Sequence, residues 1–273
     1  MKFPWWTKVL LGVAGLYGAV CSVGCFAARA IVFPAPRDDL PALAEGGRVV
    51  YILSEGLQIP AIYFAAKPGN PTLLHFHGNG ETLNTESDLA LAYHRRGLGM
   101  FVMEYRGYGA SPGSASEPDL YKDAEAAIAK LGELGVEDKN IVLSGMSIGT
   151  GIAAEMASRG HGGKLVLVAP YTSLEALADK LAPILPTSIL IQDKFDSLSK
   201  AGKIAVPTLV IHGTDDELIP FEMGKTLASA ITGAELVAVK GGHHNDLFLV
   251  KPDLLNVIAA HALGEQNSAP THR

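Results

Sequence analysis

Eight short β-branched or apolar runs succeed one another along this chain, at residues 49–53, 59–64, 72–76, 100–105, 141–143, 164–168, 208–211 and 235–239. Each is bounded by Gly, Pro, Asn or Asp, which punctuate strands. Between the later runs lie stretches with helical spacing, at 81–96, 117–134, 148–158, 221–231 and 253–263. In the second of these, Leu120, Ala124, Ala127, Ile128 and Leu131 recur on one helical face. Strands that alternate with helices predict a mostly parallel, eight-stranded sheet covered by helices on both faces. Sheets of that kind hold their ligands outside the carboxyl ends of the strands, so the chemistry belongs in the loops that follow strands.

The segment 172–206 is long for a connection within such a sheet. It contains "LEALADKLAPILPTSILI", apolar and broken by Pro183 and Pro186. It reads as a short helical cap over the site. Residues 1–36 read as a separate N-terminal segment, 37–265 as the main domain and 266–273 as a flexible tail.

Residues 9–28 carry no charge, follow Lys2 and Lys8, and are long enough to cross a bilayer as a helix. Early lysines favour an N-terminus that stays inside. The expectation is a single-pass membrane protein with its main domain on the exported side. The alternative is a secreted or periplasmic protein released by cleavage near Ala28-Arg29-Ala30. Cys21 and Cys25 both lie in this segment, so the main domain holds no cysteine and needs no disulfide. The net charge of −6 and the missing basic stripe exclude a nucleic-acid partner.

The fifth strand leads into Gly145-Met146-Ser147-Ile148-Gly149. A serine between glycines at a strand-to-helix turn holds its hydroxyl on a sharp corner, with positive helix dipole and backbone N–H groups where an oxyanion forms. Gly149-x-Gly151-x-x-Ala154 has the form of a dinucleotide fingerprint, but the next strand does not end in the acidic residue that this reading expects. The third strand ends in His77-Gly78-Asn79-Gly80, a turn that lets main-chain N–H groups approach a substrate oxygen. His75-x-His77 permits a rival reading, in which a metal pair is joined by His243, His244, Asp215 and Asp216. The seventh strand delivers Asp215 and Asp216, and the eighth delivers His243 and His244. Serine, then aspartate, then histidine, each after a strand, is the triad order of one large group of hydrolases. The residues alone do not choose between the adjacent aspartates or the adjacent histidines.

With these motifs the chain resembles the α/β-hydrolases that carry a short N-terminal anchor, a group with depalmitoylase-like and serine aminopeptidase-like members. The resemblance covers roughly residues 45–262 and rests on "HGNGE", "EYRGYGASPG", "GMSIGTG", "FDS", "VPTLVIHGTDDELIP" and "GGHHND". It implies an α/β-hydrolase fold with Ser147 as nucleophile, Asp216 as acid and His244 as base. It also implies backbone oxyanion donors at Asn79 and Ile148, with His77, Gly78, Gly145, Gly149 and Arg106 as supporting motif residues. No metal and no organic cofactor is implied.

The expected function is hydrolysis of a carboxylic ester or thioester of a small-molecule or lipid-like acyl substrate. A serine aminopeptidase is the alternative, and its site should offer carboxylates to an α-ammonium group, with Glu175, Asp179 and Asp193 as candidates. A tethered binding protein without activity is the third class, and an intact triad argues against it.

Overall fold

The computed structural model describes residues 4–265 and, for part of the first helix, the backbone alone. Its centre is a single sheet of β1 (Arg48–Ser54), β2 (Leu57–Phe64), β3 (Thr72–Phe76), β4 (Gly99–Met103), β5 (Ile141–Met146), β6 (Lys164–Val168), β7 (Thr208–Gly213) and β8 (Glu235–Val239). The strands lie in the order β1-β2-β4-β3-β5-β6-β7-β8. β1 and β2 pair antiparallel with each other, as do β2 and β4, and every other neighbouring pair is parallel. Every residue of β3, β4 and β7 is buried, which is why these strands read as continuous apolar runs. β1, at one edge, alternates between exposed and buried positions near its end.

Two helical layers complete the core. On one face lie α3 (Glu117–Glu133), α4 (Gly149–Ser158) and α7 (Phe221–Ala230), which bury Leu120, Ile152 and Leu227 against the sheet. On the other lie α2 (Leu83–Arg95) and α8 (Leu254–Leu263), with Ala90, Tyr93 and Ile258 inward. Helix starts follow their capping residues. Ser116 accepts from the Asp119 N–H at the head of α3, and Thr82 and Thr85 form a reciprocal capping box on α2.

Two of the strand ends that differ from expectation bear on the site. β4 stops at Met103, because Glu104 and Tyr105 turn inward toward the end of β3. β5 runs on to Met146, which stays in register with Val168 of β6, so the strand leads directly into Ser147. In the expected cap region, α5 (Leu174–Leu181) and α6 (Thr187–Leu190) flank the Pro183 and Pro186 break, and Ser173 caps α5 by accepting from the Ala176 N–H.

The N-terminal segment requires a correction. Residues Trp5–Val32 form one helix, α1, yet among the described residues no helix is long and apolar enough to cross a membrane. This overturns the expected single-pass anchor with an exported domain. The end of α1 is committed to protein contacts instead. Gly24 lies against Leu190 of α6, Arg29 donates to the Ala115 carbonyl at 2.6 Å, and the Ile31 carbonyl accepts from the Asn79 side chain at 3.2 Å. Ala28-Arg29-Ala30, the cleavage site of the alternative reading, lies inside this helix.

The segment that follows α1 packs on the main domain. Phe33 is buried edge-on against Phe195, the Pro36 carbonyl accepts from the Gly109 N–H, and Arg37 donates to the Ser111 carbonyl at 2.9 Å. The side chains of Cys21 and Cys25 and the expected tail at 266–273 lie outside the described residues.

Candidate active site

Ser147 sits between β5 and α4 with φ of +52°, in the left-handed region that a non-glycine residue adopts only when its surroundings hold it there. Its neighbours explain how. A Cβ on Gly145 would collide with the Gly149 carbonyl, and one on Gly149 with the Phe76 carbonyl at the end of β3. The two glycines let α4 start within backbone contact of the sheet, and Ser147 takes the corner between them. Its N–H donates to the Val168 carbonyl at 3.0 Å, and the Tyr171 hydroxyl donates to the Ile148 carbonyl at 3.1 Å.

His244 follows β8 and is buried, with Nε2 3.0 Å from the Ser147 Oγ and Nδ1 2.8 Å from the Asp216 Oδ2. Asp216 follows β7. Its Oδ1 accepts from the amides of Leu218 at 3.0 Å and Ile219 at 2.8 Å, and its Oδ2 lies 3.3 Å from the His212 Nε2. Burial opposes ionisation of Asp216, but hydrogen bonds from His212, His244 and the Ile219 amide outweigh it and hold the carboxyl well below the usual carboxylate range.

The adjacent residues are placed elsewhere. His243 is exposed and paired with Glu217 at 2.9 Å, and Asp215 accepts from the Thr214 hydroxyl in the turn. His212 contributes in a way the sequence did not reveal. Its Nε2–H donates to the Ile219 carbonyl at 2.8 Å and so fixes the turn that carries Asp216. Its place next to Gly213 at the end of β7 was the available signal.

The loop after β3 faces the serine from the other side. Asn79 and Ile148 line one cavity with Ser147, about 140 Å³ in volume, and neither backbone N–H meets an acceptor among the described residues. Beneath this loop His77 is fully buried and stacked on Tyr105. Its Nδ1 donates to the Gly78 carbonyl at 2.8 Å, and its Nε2 lies 3.1 Å from Glu104. Burial disfavours charge on this imidazole, but the Glu104 carboxylate prevails and raises its pKa. Gly78 donates its N–H to Glu81, and the Tyr105 hydroxyl donates to the His77 carbonyl at 2.7 Å. The loop is therefore braced from three directions.

Arg106 lies away from the cavity, in a fork with buried Asp123 at 2.6–2.9 Å that ties the loop after β4 to α3. The metal pair of the rival reading does not converge. β3 ends at Phe76, so its alternation does not extend to His77. His75 instead meets the Ser144 hydroxyl at 3.0 Å and faces Glu86 at 3.4 Å. Burial, with a contribution from nearby His77, brings the His75 pKa down to about 3. Among the described residues no group of three or more His, Cys, Asp or Glu side chains is placed to hold a metal.

Comparison with known proteins places this chain in a family. A family model described as serine aminopeptidase, S33, matches residues 68–195, and one described as TAP-like protein matches residues 190–251. The chain is 33% identical over 235 residues to an uncharacterized protein of Mycobacterium tuberculosis, spanning 84% of this chain and 82% of that one. It is 34% identical over 200 residues to the human alpha/beta hydrolase domain-containing protein 17B, spanning 72% of this chain and 68% of the human protein. Among solved structures, an esterase of Pyrococcus furiosus has the same fold, with a TM-score of 0.68, 17% identity, and coverage of 84% of this chain and 98% of that one. The eight-stranded, mostly parallel sheet with flanking helices agrees with these matches, and the chain belongs to the α/β-hydrolase superfamily as a hydrolase.

Proposed function

We propose that this hydrolase cleaves a carboxylic ester or thioester through a Ser147-His244-Asp216 triad and an acyl-enzyme. The observation that carries the reading is the pair of hydrogen bonds made by one buried imidazole, 2.8 Å to Asp216 and 3.0 Å to Ser147. Asp216 keeps the proton of His244 on Nδ1, which leaves Nε2 free to accept from Ser147. As the Ser147 Oγ attacks the carbonyl carbon, Nε2 takes its proton. The oxyanion accepts from the N–H groups of Asn79 and Ile148, at the positive end of α4. Loss of one such donor costs about 2.7–4 kcal/mol of barrier lowering. The imidazolium then protonates the departing alkoxide or thiolate. Water, deprotonated by the same nitrogen, attacks the acyl-enzyme and restores Ser147.

The aminopeptidase reading draws support from the description of the matching family model. It needs a carboxylate that is free to receive an α-ammonium group, and the three candidates are engaged elsewhere. Glu175 pairs with Lys194 at 2.6 Å, Asp179 accepts from Thr187, and Asp193 accepts from the Glu117 N–H at 2.7 Å. The described residues that line the Ser147 cavity include no carboxylate. The choice is tested by the hydrolysis of p-nitrophenyl esters beside an aminoacyl-anilide. Ester turnover that is lost in Ser147→Ala supports the proposal. Preferential turnover of the anilide sinks the ester assignment.

A further inference from the structure

The apolar face of α1 has no role in the triad, yet it reaches the site. Ile31 and Val32, in the last turn of α1, line the Ser147 cavity together with Leu174, Leu177 and Leu181 of α5. The same five side chains also line a second space, a groove of about 310 Å³ that continues between α1 and α5. Beyond them the groove is walled by Ala28 on α1 and Ala178 on α5, and its far end is where Gly24 meets Leu190. A Cβ on Gly24 would come within 2.9 Å of Leu190, so α1 and α6 already touch there. Thr187 is the sole polar residue among the described ones that line the groove, and its hydroxyl is bonded to Asp179. A space that is apolar, of ligand size and continuous with a nucleophile suits an apolar substituent of the substrate.

We infer that this groove seats the acyl chain of a medium- to long-chain ester or thioester, and that α1 is one wall of the acyl site. The inference rests on the serine-hydrolase reading above and adds the substrate class and the element that selects it. From Ile31 back to Gly24 the helix rises roughly 10 Å, so the chain lies along α1 with its carbonyl at Ser147 and its end toward Leu190. The bond from the Asn79 side chain to the Ile31 carbonyl couples the groove wall to the oxyanion loop. Each methylene that leaves water for the groove raises kcat/KM about fourfold until the groove is full.

The test is kcat/KM of the full chain on p-nitrophenyl acetate, butyrate, octanoate and dodecanoate. Wild type is compared with Ser147→Ala, with Ala28→Trp on one wall and with Ala178→Trp on the other. The expected result is a rise with chain length in wild type and a fall of about tenfold or more in the dodecanoate-to-acetate ratio in each tryptophan variant. Because the two substitutions sit on different helices, one folded variant suffices for the comparison. A flat wild-type profile, or a ratio unchanged by tryptophan while Ser147→Ala is inactive, overturns the groove and leaves the triad standing. Failure of wild type to hydrolyse any ester in the series overturns the triad reading, and the groove falls with it.

Discussion

His244 and Asp216 are joined by a 2.8 Å hydrogen bond from Nδ1 to Oδ2, while His243, the preceding residue, is exposed on Glu217. One peptide unit thus separates an imidazole held between a carboxylate and a serine hydroxyl from one that faces solvent. The turn at Gly241 and Gly242 produces this division. Gly242 donates to the Val239 carbonyl and accepts from the Asp215 N–H, and the His243 N–H donates to Asp246 at 2.7 Å. Held at both ends, the turn directs the second histidine inward.

Asp216→Asn is expected to lower kcat by about 10⁴-fold, because the amide no longer selects the tautomer that presents a bare Nε2 to Ser147. His243→Ala is expected to leave kcat close to wild type. Steady-state ester hydrolysis by both variants checks the pair, and equal losses would remove the distinction between the two histidines.

His212→Ala withdraws the donor from the Ile219 carbonyl and a partner from Asp216. The expected loss in kcat is about 10- to 100-fold, the scale of one hydrogen bond to a charged group, with KM little changed. Gly224→Ala should act in the same direction, since a Cβ there would collide with the His212 Nδ1. An unchanged kcat in both variants would mean that His212 does not position Asp216.

Gly149→Ala drives a methyl group into the Phe76 carbonyl. The expected outcome is a loss of stability of more than about 1 kcal/mol, read as a lowered Tm, together with loss of activity. A variant with wild-type Tm and activity would show that α4 has room to move away from β3.

Glu86 gives a pH-dependent prediction. Burial, reinforced by the nearby Glu81 carboxylate, pushes its pKa from 4.5 up to about 8. Between those values the unfolded chain ionises this carboxyl while the folded chain keeps it protonated, so its contribution to stability falls as pH rises through that window. Glu86→Gln keeps a donor and cannot ionise. Its Tm should match wild type near pH 4 and exceed it increasingly up to pH 8. A Tm difference independent of pH would show that Glu86 titrates normally.

Much of the sheet was legible because each strand announces itself. β3, β6 and β8 appear where the apolar runs predict them, and Ser147, Asp216 and His244 follow β5, β7 and β8 in chain order. What escaped were relationships between distant positions. A helix that is apolar over many residues reads the same whether lipid or another helix covers it, so nothing local in α1 foretold Gly24 against Leu190 or Ile31 beside Asn79. His77 stands 27 residues from Glu104, and its spacing from His75 suggested a metal pair because a strand's end cannot be read to the residue. Adjacent histidines were indistinguishable for a related reason, since the turn that separates them depends on contacts with the neighbouring β7 loop.

The proposed reaction passes through covalent acylation of Ser147. Its most direct test is stoichiometric labelling with a fluorophosphonate, followed by peptide mass spectrometry of wild type, Ser147→Ala and His244→Ala. One equivalent of label is expected on the peptide that contains Ser147, with none in Ser147→Ala and sharply slowed labelling in His244→Ala. Ester turnover that persists with no label on Ser147, or with label on another residue, would contradict it.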